Sequence, residues 1–150
     1  MQLTSSAFDN GQTIPQLYSC QGEDVSPPLA FVGVPDGTKS LALIMDDPDV
    51  PPSVRKDGMW VHWVVFNMEP SRAKIEQDIG LFATSGVNTG GKLGYMGPCP
   101  PDREHRYFFK LYALETLLDL KEGAAKEQLV EAMQGHILEE AQLMGRFEKS

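Results

Sequence analysis

The sequence is short of basic residues, of cysteine and of long apolar runs, and each shortage excludes a class of protein. Its 150 residues hold 13 Lys and Arg against 21 Asp and Glu, which gives a formal net charge of −8. Nucleic acids and anionic membrane surfaces are bound through clustered basic residues, so neither is an expected partner. No apolar run approaches the roughly 18 residues of a membrane-spanning helix, which argues against an integral membrane protein.

The chain has only two cysteines, Cys20 and Cys99, which are too few for a disulfide scaffold. The two could form a single bridge, but reduced thiols in a cytoplasmic protein are the expectation. The first residues show neither the basic nor the apolar stretch of a secretory signal. A mature exported protein would look the same, so export stays open.

Short apolar segments separated by Gly and Pro are abundant, and 41% of the residues are hydrophobic. This pattern predicts one β-rich domain over residues 1–150. Strand-like runs occur at 29–34, 40–45, 60–67 and 105–114. Apolar spacings of three and four predict a helix over residues 122–147, in which His136 would pair with Glu140. The Gly- and Pro-rich stretch 83–104 is expected to be a long functional loop.

Three aspartates, Asp46, Asp47 and Asp49, follow the second apolar run. Pro48 and Pro51 disfavour the helical conformation for the residue before each, so we expect the carboxylates on an extended, stiff loop. The trio would then form a pocket wall that orients and charges histidines. An acidic turn whose side chains cap backbone N–H groups is the alternative interpretation.

Two of the three histidines lie in aromatic strands. Successive side chains of a strand point to opposite faces, so four residues are expected on the same face of the 60–67 strand: Trp60, His62, Val64 and Phe66. The same alternation places His105 and Tyr107 on one face of the last predicted strand. If these strands are neighbours in one sheet, the two histidines and the tyrosine would converge with Asp47 or Asp49. Alternatively, a single buried histidine is an ordinary core residue.

Two imidazoles, a phenol and the backbone N–H groups of the 83–104 loop would form a donor-rich pocket for an anion. A carboxylate behind an imidazole would keep that imidazole cationic. Weaker alternatives are a metal site without the usual ligand spacing, a Cys99–His105 nucleophilic pair, and a hydrolase or lyase with His62 or His105 as general base. No cofactor motif is present.

The order and spacing of these motifs resemble the phosphatidylethanolamine-binding protein family, also called Raf-kinase-inhibitor-like proteins. DPDVP at 47–51 resembles the family's D-P-D-x-P motif, and WVH at 60–62 resembles its W-x-H strand. GP at 97–98 followed by HRY at 105–107 resembles its G-P-x6-H-R-Y motif. GPCPP at 97–101 and GHIL at 135–138 resemble the short prokaryotic YbhB/YbcL subgroup.

The resemblance implies two packed antiparallel β-sheets with a few peripheral helices, one of them C-terminal. It implies a non-catalytic binding or regulatory module, without a cofactor, whose pocket takes anionic headgroups such as phosphate or phosphorylethanolamine. The implied ligand-binding residues are Asp47, Asp49, Pro51, Trp60, His62, Gly97, Cys99, His105 and Tyr107. The alternative partner is a protein, a kinase or a serine protease, toward whose basic surface the acidic first third would steer the chain. The oligomeric state is left open, with a homodimer among the options.

Overall fold

The structure, a computed structural model, describes residues 1–150. Its elements in chain order are β1 Gln2–Thr4, β2 Leu29–Val32, β3 Ser40–Asp47, β4 Trp60–Met68, β5 Lys74–Ile75, β6 Thr84–Ser85, β7 His105–Leu114, α1 Lys126–Met133 and β8 Ile137–Phe147. A short 3-10 helix, Gln16–Tyr18, lies between β1 and β2. None of these elements is a helix long and apolar enough to cross a bilayer.

The strands form two antiparallel sheets. The smaller has the order β1-β2-β5, and the larger has the order β6-β4-β3-β7-β8. Between them lies the main core, where Phe31 of the small sheet packs in one cluster with Leu43, Trp63 and Phe109 of the large sheet. The predicted architecture of two packed antiparallel sheets is confirmed.

A second core cluster covers the opposite face of the large sheet. Here Ile44 and Phe66 belong to the same cluster as Leu129 and Met133 of α1. Because β3 is packed on both faces, all eight of its residues are buried. The central strands are therefore fixed, and the side chains at their ends are held by a rigid scaffold.

The helix predicted over residues 122–147 is wrong in extent, because α1 covers only Lys126–Met133. Gly135, with φ of +82°, follows the helix in the left-handed conformation typical of helix ends. Residues 137–147 then pair with β7 along its whole length, from Leu114 with Ile137 to His105 with Phe147. This pairing outweighs the helix propensity of the segment.

His136 consequently lies in the turn between α1 and β8. Its Nδ1 is 2.9 Å from Oε1 of Glu115 on the exposed surface. The predicted pairing of His136 with Glu140 is therefore wrong, because it required a continuous helix. This third histidine lies apart from the other two.

The four predicted strands are present, with small differences at their ends. The strand predicted over 29–34 stops at Val32, because Gly33 has φ of +75°. The strand predicted over 40–45 continues to Asp47, so two of the three aspartates end a strand rather than lie in a loop. Besides β8, three strands were not predicted, β1, β5 and β6, which are two or three residues long and too short to show alternation.

A β-bulge in β4 changes which side chains face the site. β3 pairs with Trp63 and then with Val61, passing over His62 as an extra residue. Alternation places four residues on one face, and because of the bulge this prediction is wrong for the two residues after His62. The other two residues predicted for that face lie beneath α1 instead: Val64 and Phe66.

Candidate functional site

A cavity of about 230 Å³ lies where the ends of β3, β4 and β7 meet. This volume suits a small ligand. Seven of the nine predicted ligand-binding residues line it: Asp47, Trp60, His62, Gly97, Cys99, His105 and Tyr107. The lining also contains five residues that were not predicted: Val50, Val54, Met96, Pro100 and Pro101.

Asp47 and His105 form a buried hydrogen-bonded pair at this cavity. Nδ1 of His105 donates to Oδ2 of Asp47 at 2.6 Å. The other carboxylate oxygen, Oδ1, accepts the backbone N–H of Asp49 at 2.8 Å. Burial raises the pKa of Asp47, and the hydrogen bond from His105 opposes that rise. Asp47 therefore fixes the orientation of the His105 ring.

The second ring nitrogen of His105 is also engaged. Nε2 donates to Oδ1 of Asp102 at 2.7 Å, and this bond lowers the pKa of Asp102. With a carboxylate oxygen within hydrogen-bond distance of each ring nitrogen, neither nitrogen of His105 is free to bond a ligand directly.

His62 is the opposite case, a buried neutral imidazole. Its Nδ1 donates to the carbonyl oxygen of Met96 at 2.6 Å, and the Met96 N–H donates to the His62 carbonyl at 3.0 Å. Burial lowers the pKa of His62 to about 4, although the Met96 carbonyl opposes this shift. At neutral pH the proton is on Nδ1, so Nε2 is a hydrogen-bond acceptor.

The hydroxyl of Tyr107 is a buried polar group without a hydrogen-bond partner. The rings of His62 and Tyr107 pack edge to face, with their centroids 5.2 Å apart. Burial raises the pKa of Tyr107 well above its usual value, the nearby carboxylate of Asp47 raises it further, and the backbone N–H of Cys99 lowers it. The phenol therefore keeps its proton, and because neither neighbour reaches hydrogen-bond geometry, the buried hydroxyl is free to donate to a further partner.

The rest of the cavity surface is largely apolar. Trp60 lines one part, and its Nε1 donates to Sδ of Met96 at 3.3 Å. Val50 is buried, whereas Val54 is 49% exposed. Apolar side chains thus line both the buried and the solvent-exposed parts of the cavity.

Two of the predicted ligand-binding residues, Asp49 and Pro51, do not line the cavity. Asp49 accepts hydrogen bonds from Nε and Nη2 of Arg106 at 3.0 and 2.8 Å, which lower the pKa of Asp49. The carbonyl of Pro51 accepts the backbone N–H of Val54 at 2.9 Å. Both residues shape the loop that carries Val50 and Val54 rather than offer groups to a ligand.

Asp46 is not part of the pocket wall, contrary to the expectation for the aspartate trio. It is fully buried, and Lys110 and Lys126 donate to its Oδ2 at 3.2 and 2.7 Å. Successive strand residues point to opposite faces, so Asp46 and Asp47 cannot share one site. The sequence indicates this through the same alternation, once the strand is known to continue to Asp47.

The backbone N–H of Gly97 is also unavailable, although the 83–104 loop was expected to offer such donors. Gly97 donates to Oδ1 of Asp24 at 2.8 Å. A Cβ at position 97 would overlap that oxygen and the carbonyl of Tyr18. Gly97 is therefore required by the close approach of residues 18–24, not by contact with an anion.

The expectation of reduced cysteines is wrong, because Cys20 and Cys99 form a disulfide with Cα atoms 5.5 Å apart. Cys99 therefore has no thiol with which to form a nucleophilic pair with His105. No spacing in the sequence indicates that two cysteines 79 residues apart meet.

The structure also bears on the metal-site alternative. No three His, Cys, Asp or Glu side chains of the chain are grouped so that they could hold a metal ion.

Comparison with known proteins identifies the family. The family model described as "Phosphatidylethanolamine-binding protein" matches residues 4–148. The chain belongs to the phosphatidylethanolamine-binding protein family. This result confirms the resemblance drawn from the D-P-D-x-P, W-x-H and H-R-Y motifs.

Relatives within this family match over nearly the whole chain. A UPF0098 protein of Chlamydia trachomatis serovar D is 56% identical over 149 residues, covering 99% of both chains. A UPF0098 protein of Methanothermobacter thermautotrophicus is 50% identical over 155 residues, again covering 99% of each. The chain is thus similar to both bacterial and archaeal members.

Two crystal structures of family members have the same fold. A phosphatidylethanolamine-binding protein homologue from C. trachomatis superimposes with a TM-score of 0.97 at 55% identity, covering 99% of this chain and 97% of that one. YbcL of Escherichia coli superimposes with a TM-score of 0.89 at 28% identity, covering 99% and 98%. The chain is therefore a prokaryotic-type member of a family of binding proteins.

Asp102 is the polar residue that sequence reasoning missed, and a signal for it exists. It stands three residues before His105, in the run PPDRE at 100–104. A carboxylate that close to a strand-opening histidine can reach its outer nitrogen once prolines have fixed the approach of the chain. The role of Met96, by contrast, depends on its carbonyl and has no signature in the sequence.

Proposed function

We propose that the 150 residues act as one non-catalytic binding module of the YbhB/YbcL type, whose cavity takes a small oxyanion headgroup such as phosphate or phosphorylethanolamine. The observation that carries the proposal is the Tyr107 hydroxyl, which is buried beside the His105 ring and has no hydrogen-bond partner. The membership of a family of binding proteins supports the same class of function.

Tyr107 and His62 offer complementary hydrogen-bonding groups, and this limits the kind of ligand that the cavity would bind. The Tyr107 O–H would donate to a charged oxygen of the ligand, and Nε2 of neutral His62 would accept a hydrogen bond from a proton-bearing group of the ligand. Hydrogen phosphate offers both, an oxyanion and a P–O–H, since the second pKa of a phosphate group lies near neutrality. A fully ionised sulfate offers only acceptors, so the cavity is proposed to prefer phosphate to sulfate.

Titration calorimetry with phosphate, phosphorylethanolamine and sulfate tests this proposal. We expect Tyr107→Phe to weaken phosphate binding about tenfold, because a hydrogen bond to a charged group is worth roughly 1.5–3 kcal/mol. Tyr112→Phe is the matched control, because Tyr112 is on the same strand but on the opposite face from Tyr107. Sulfate should bind more weakly than phosphate to the wild-type chain.

The proposal would be contradicted if none of the three ligands gave a heat of binding up to millimolar concentration. Equal binding of phosphate by wild type and Tyr107→Phe would also contradict it. Either result would favour the alternatives, a protein-binding regulator or a hydrolase. The family relationship would stand in every case.

A further inference from the structure

The Cys20–Cys99 disulfide lies on the surface and also at the edge of the cavity. Both half-cystines are exposed to solvent, and Cys99 lines the cavity. The disulfide is therefore placed where a dithiol can approach it from solvent without unfolding the core. Exposed disulfides are the ones that act as labile or regulatory bonds, whereas buried ones resist reduction.

On one side, the disulfide is attached to a segment that we call the strap, residues 16–24. The strap also contacts the stretch just before the disulfide through three hydrogen bonds. Tyr95 Oη donates to the Tyr18 carbonyl at 2.7 Å, and the Cys20 N–H donates to the Pro98 carbonyl at 3.1 Å. The Gly97 N–H donates to Oδ1 of Asp24, a strap residue, at 2.8 Å. Residues 95–98 would therefore remain in place without the disulfide.

On the other side, the disulfide holds what we call the cavity wall, residues 99–104. No backbone N–H or carbonyl of these six residues takes part in a backbone–backbone hydrogen bond. Apart from the disulfide, the wall is held by three side-chain contacts. Asp102 bonds His105, Arg103 donates from Nη2 to the Asp49 carbonyl at 3.4 Å, and Glu104 accepts from Nη1 of Arg146 on β8 at 3.5 Å. The disulfide is thus the only covalent tie of the wall to the rest of the molecule beyond the chain itself.

The wall is coupled to the polar groups of the cavity. Pro100 and Pro101 line the cavity, and Asp102 holds the outer nitrogen of His105. The backbone N–H of Cys99 lies near enough to the Tyr107 hydroxyl to lower its pKa, against the larger opposing effect of burial. A displacement of the wall would therefore alter the surroundings of both Tyr107 and His105.

We infer that the Cys20–Cys99 disulfide is a redox modification site, and that its reduction releases the cavity wall and weakens ligand binding. This inference rests on the proposed function, since it concerns the affinity of the same cavity. By reciprocity, a bound ligand would make the disulfide harder to reduce by the same factor.

The reaction is a thiol–disulfide exchange with a cellular or added dithiol. A thiolate of the dithiol attacks one of the two sulfurs, the Cys20–Cys99 bond breaks, and the other cysteine leaves as a thiolate. The second thiol of the reagent then resolves the mixed disulfide. In total two electrons and two protons pass to Cys20 and Cys99, and the dithiol becomes a disulfide.

The test measures the affinity of the full chain for phosphorylethanolamine with the disulfide intact and after treatment with dithiothreitol. Dithiothreitol is chosen because it is uncharged and does not compete for an anion site. We expect reduction to weaken binding by roughly fivefold or more, the lower range of allosteric coupling. The double variant Cys20→Ser/Cys99→Ser should bind as weakly as the reduced chain and should not respond to dithiothreitol.

Amide nitrogen-15 relaxation gives a second measurement that does not depend on the ligand or on the variant folding. Order parameters of Cys99 and of residues 102–104, the wall residues with a backbone N–H, are compared in the oxidised and reduced wild-type chain, with the core strand β3 as the internal reference. We expect lower order parameters in the wall after reduction and no change in β3.

The outcomes separate this inference from the proposed function. Equal affinity of the oxidised and reduced chains would overturn the inference and leave the proposed function standing. Failure of both forms to bind would contradict the proposed function, and unchanged order parameters of the wall would then overturn the inference as well. A disulfide that resists excess dithiothreitol in the folded chain would also overturn it.

Discussion

The two cavity histidines differ in their hydrogen-bond partners. His105 has a carboxylate at each ring nitrogen, whereas His62 has one backbone carbonyl and is otherwise enclosed. A carbonyl stabilises the charge of an imidazolium less than a carboxylate does, so the effect of burial on the pKa is the larger one at His62. Of the two histidines, only His105 has the carboxylate contact that was expected to orient a ring.

The depressed pKa of His62 makes stability depend on pH. The folded pKa is about 4, below the unfolded value of 6.5, so the unfolded chain takes up a proton first as the pH falls. This contribution to the free energy of unfolding is complete above pH 6.5 and is lost as the pH falls from 6.5 to about 4. The total loss over this range is ~3 kcal/mol.

Urea unfolding of wild type and His62→Gln at pH 7, 5.5 and 4 measures this effect. We expect the free energy of unfolding of wild type to fall by ~3 kcal/mol more than that of the variant across this range. Carboxylates contribute equally to both proteins, so the difference isolates His62. Parallel curves for the two proteins would contradict a neutral, buried His62.

Much of the site was predictable at the residue scale, because the motifs carry the side chains that line the cavity. Asp47, His62, His105 and Tyr107 are strand-end residues, and strand ends on one sheet edge meet in space. The contributions that were missed involve backbone groups or irregular geometry. The Met96 carbonyl and the bulge at His62 leave no trace in residue type or spacing.

At the scale of elements, β8 is where local preference and tertiary structure disagree. Its sequence is rich in helix-forming Glu, Ala, Leu and Met, yet it completes the large sheet beside β7. Leu143, Gly145 and Phe147 face inward at a spacing of two, and this short alternation is the sequence signal for the strand. The strands β3, β4 and β7 were easier to predict, because their apolar and aromatic residues agree with their place in the core.

The close packing of Gly145 gives a test of β8. A Cβ at this position would overlap Ile14 and lie 2.8 Å from Cε2 of Phe8. We expect Gly145→Ala to lower the free energy of unfolding by roughly 1–3 kcal/mol through overpacking. Ile14→Ala should be destabilising alone, but should relieve part of the cost of Gly145→Ala.

A double-mutant cycle on Ile14 and Gly145, followed by urea unfolding, measures this coupling. The predicted result is a favourable interaction of at least roughly 0.5 kcal/mol in the double variant. Strict additivity of the two changes would show that the two positions do not touch. That result would be incompatible with residues 137–147 forming the strand described above.

At the scale of the whole molecule, the net charge of −8 does not oppose an anionic ligand, because the acids around the cavity are paired locally. Asp47 is paired with His105, Asp49 with Arg106, and Asp46 with two lysines. The shortage of basic residues thus argues against a nucleic-acid surface, while the field inside the cavity depends on a few buried pairs.

The disulfide also affects the molecule as a whole, since it closes a large part of the chain into a loop. With a sequence separation of 79, chain-entropy arguments place its contribution to the free energy of unfolding at about 4.5 kcal/mol. Urea unfolding of the wild-type chain with and without dithiothreitol measures it. We expect a loss of about this size in wild type and none in Cys20→Ser/Cys99→Ser; an unchanged midpoint in wild type would contradict it.

The most direct test of the central claim is a titration of the chain with phosphorylethanolamine, followed by the ring resonances of its three histidines. We predict saturable shifts for His62 and His105, which line the cavity, and none for the exposed His136, which bonds Glu115 elsewhere. Unmoved signals of His62 and His105 up to millimolar ligand, or equal shifts of all three histidines, would contradict a specific anion-binding cavity.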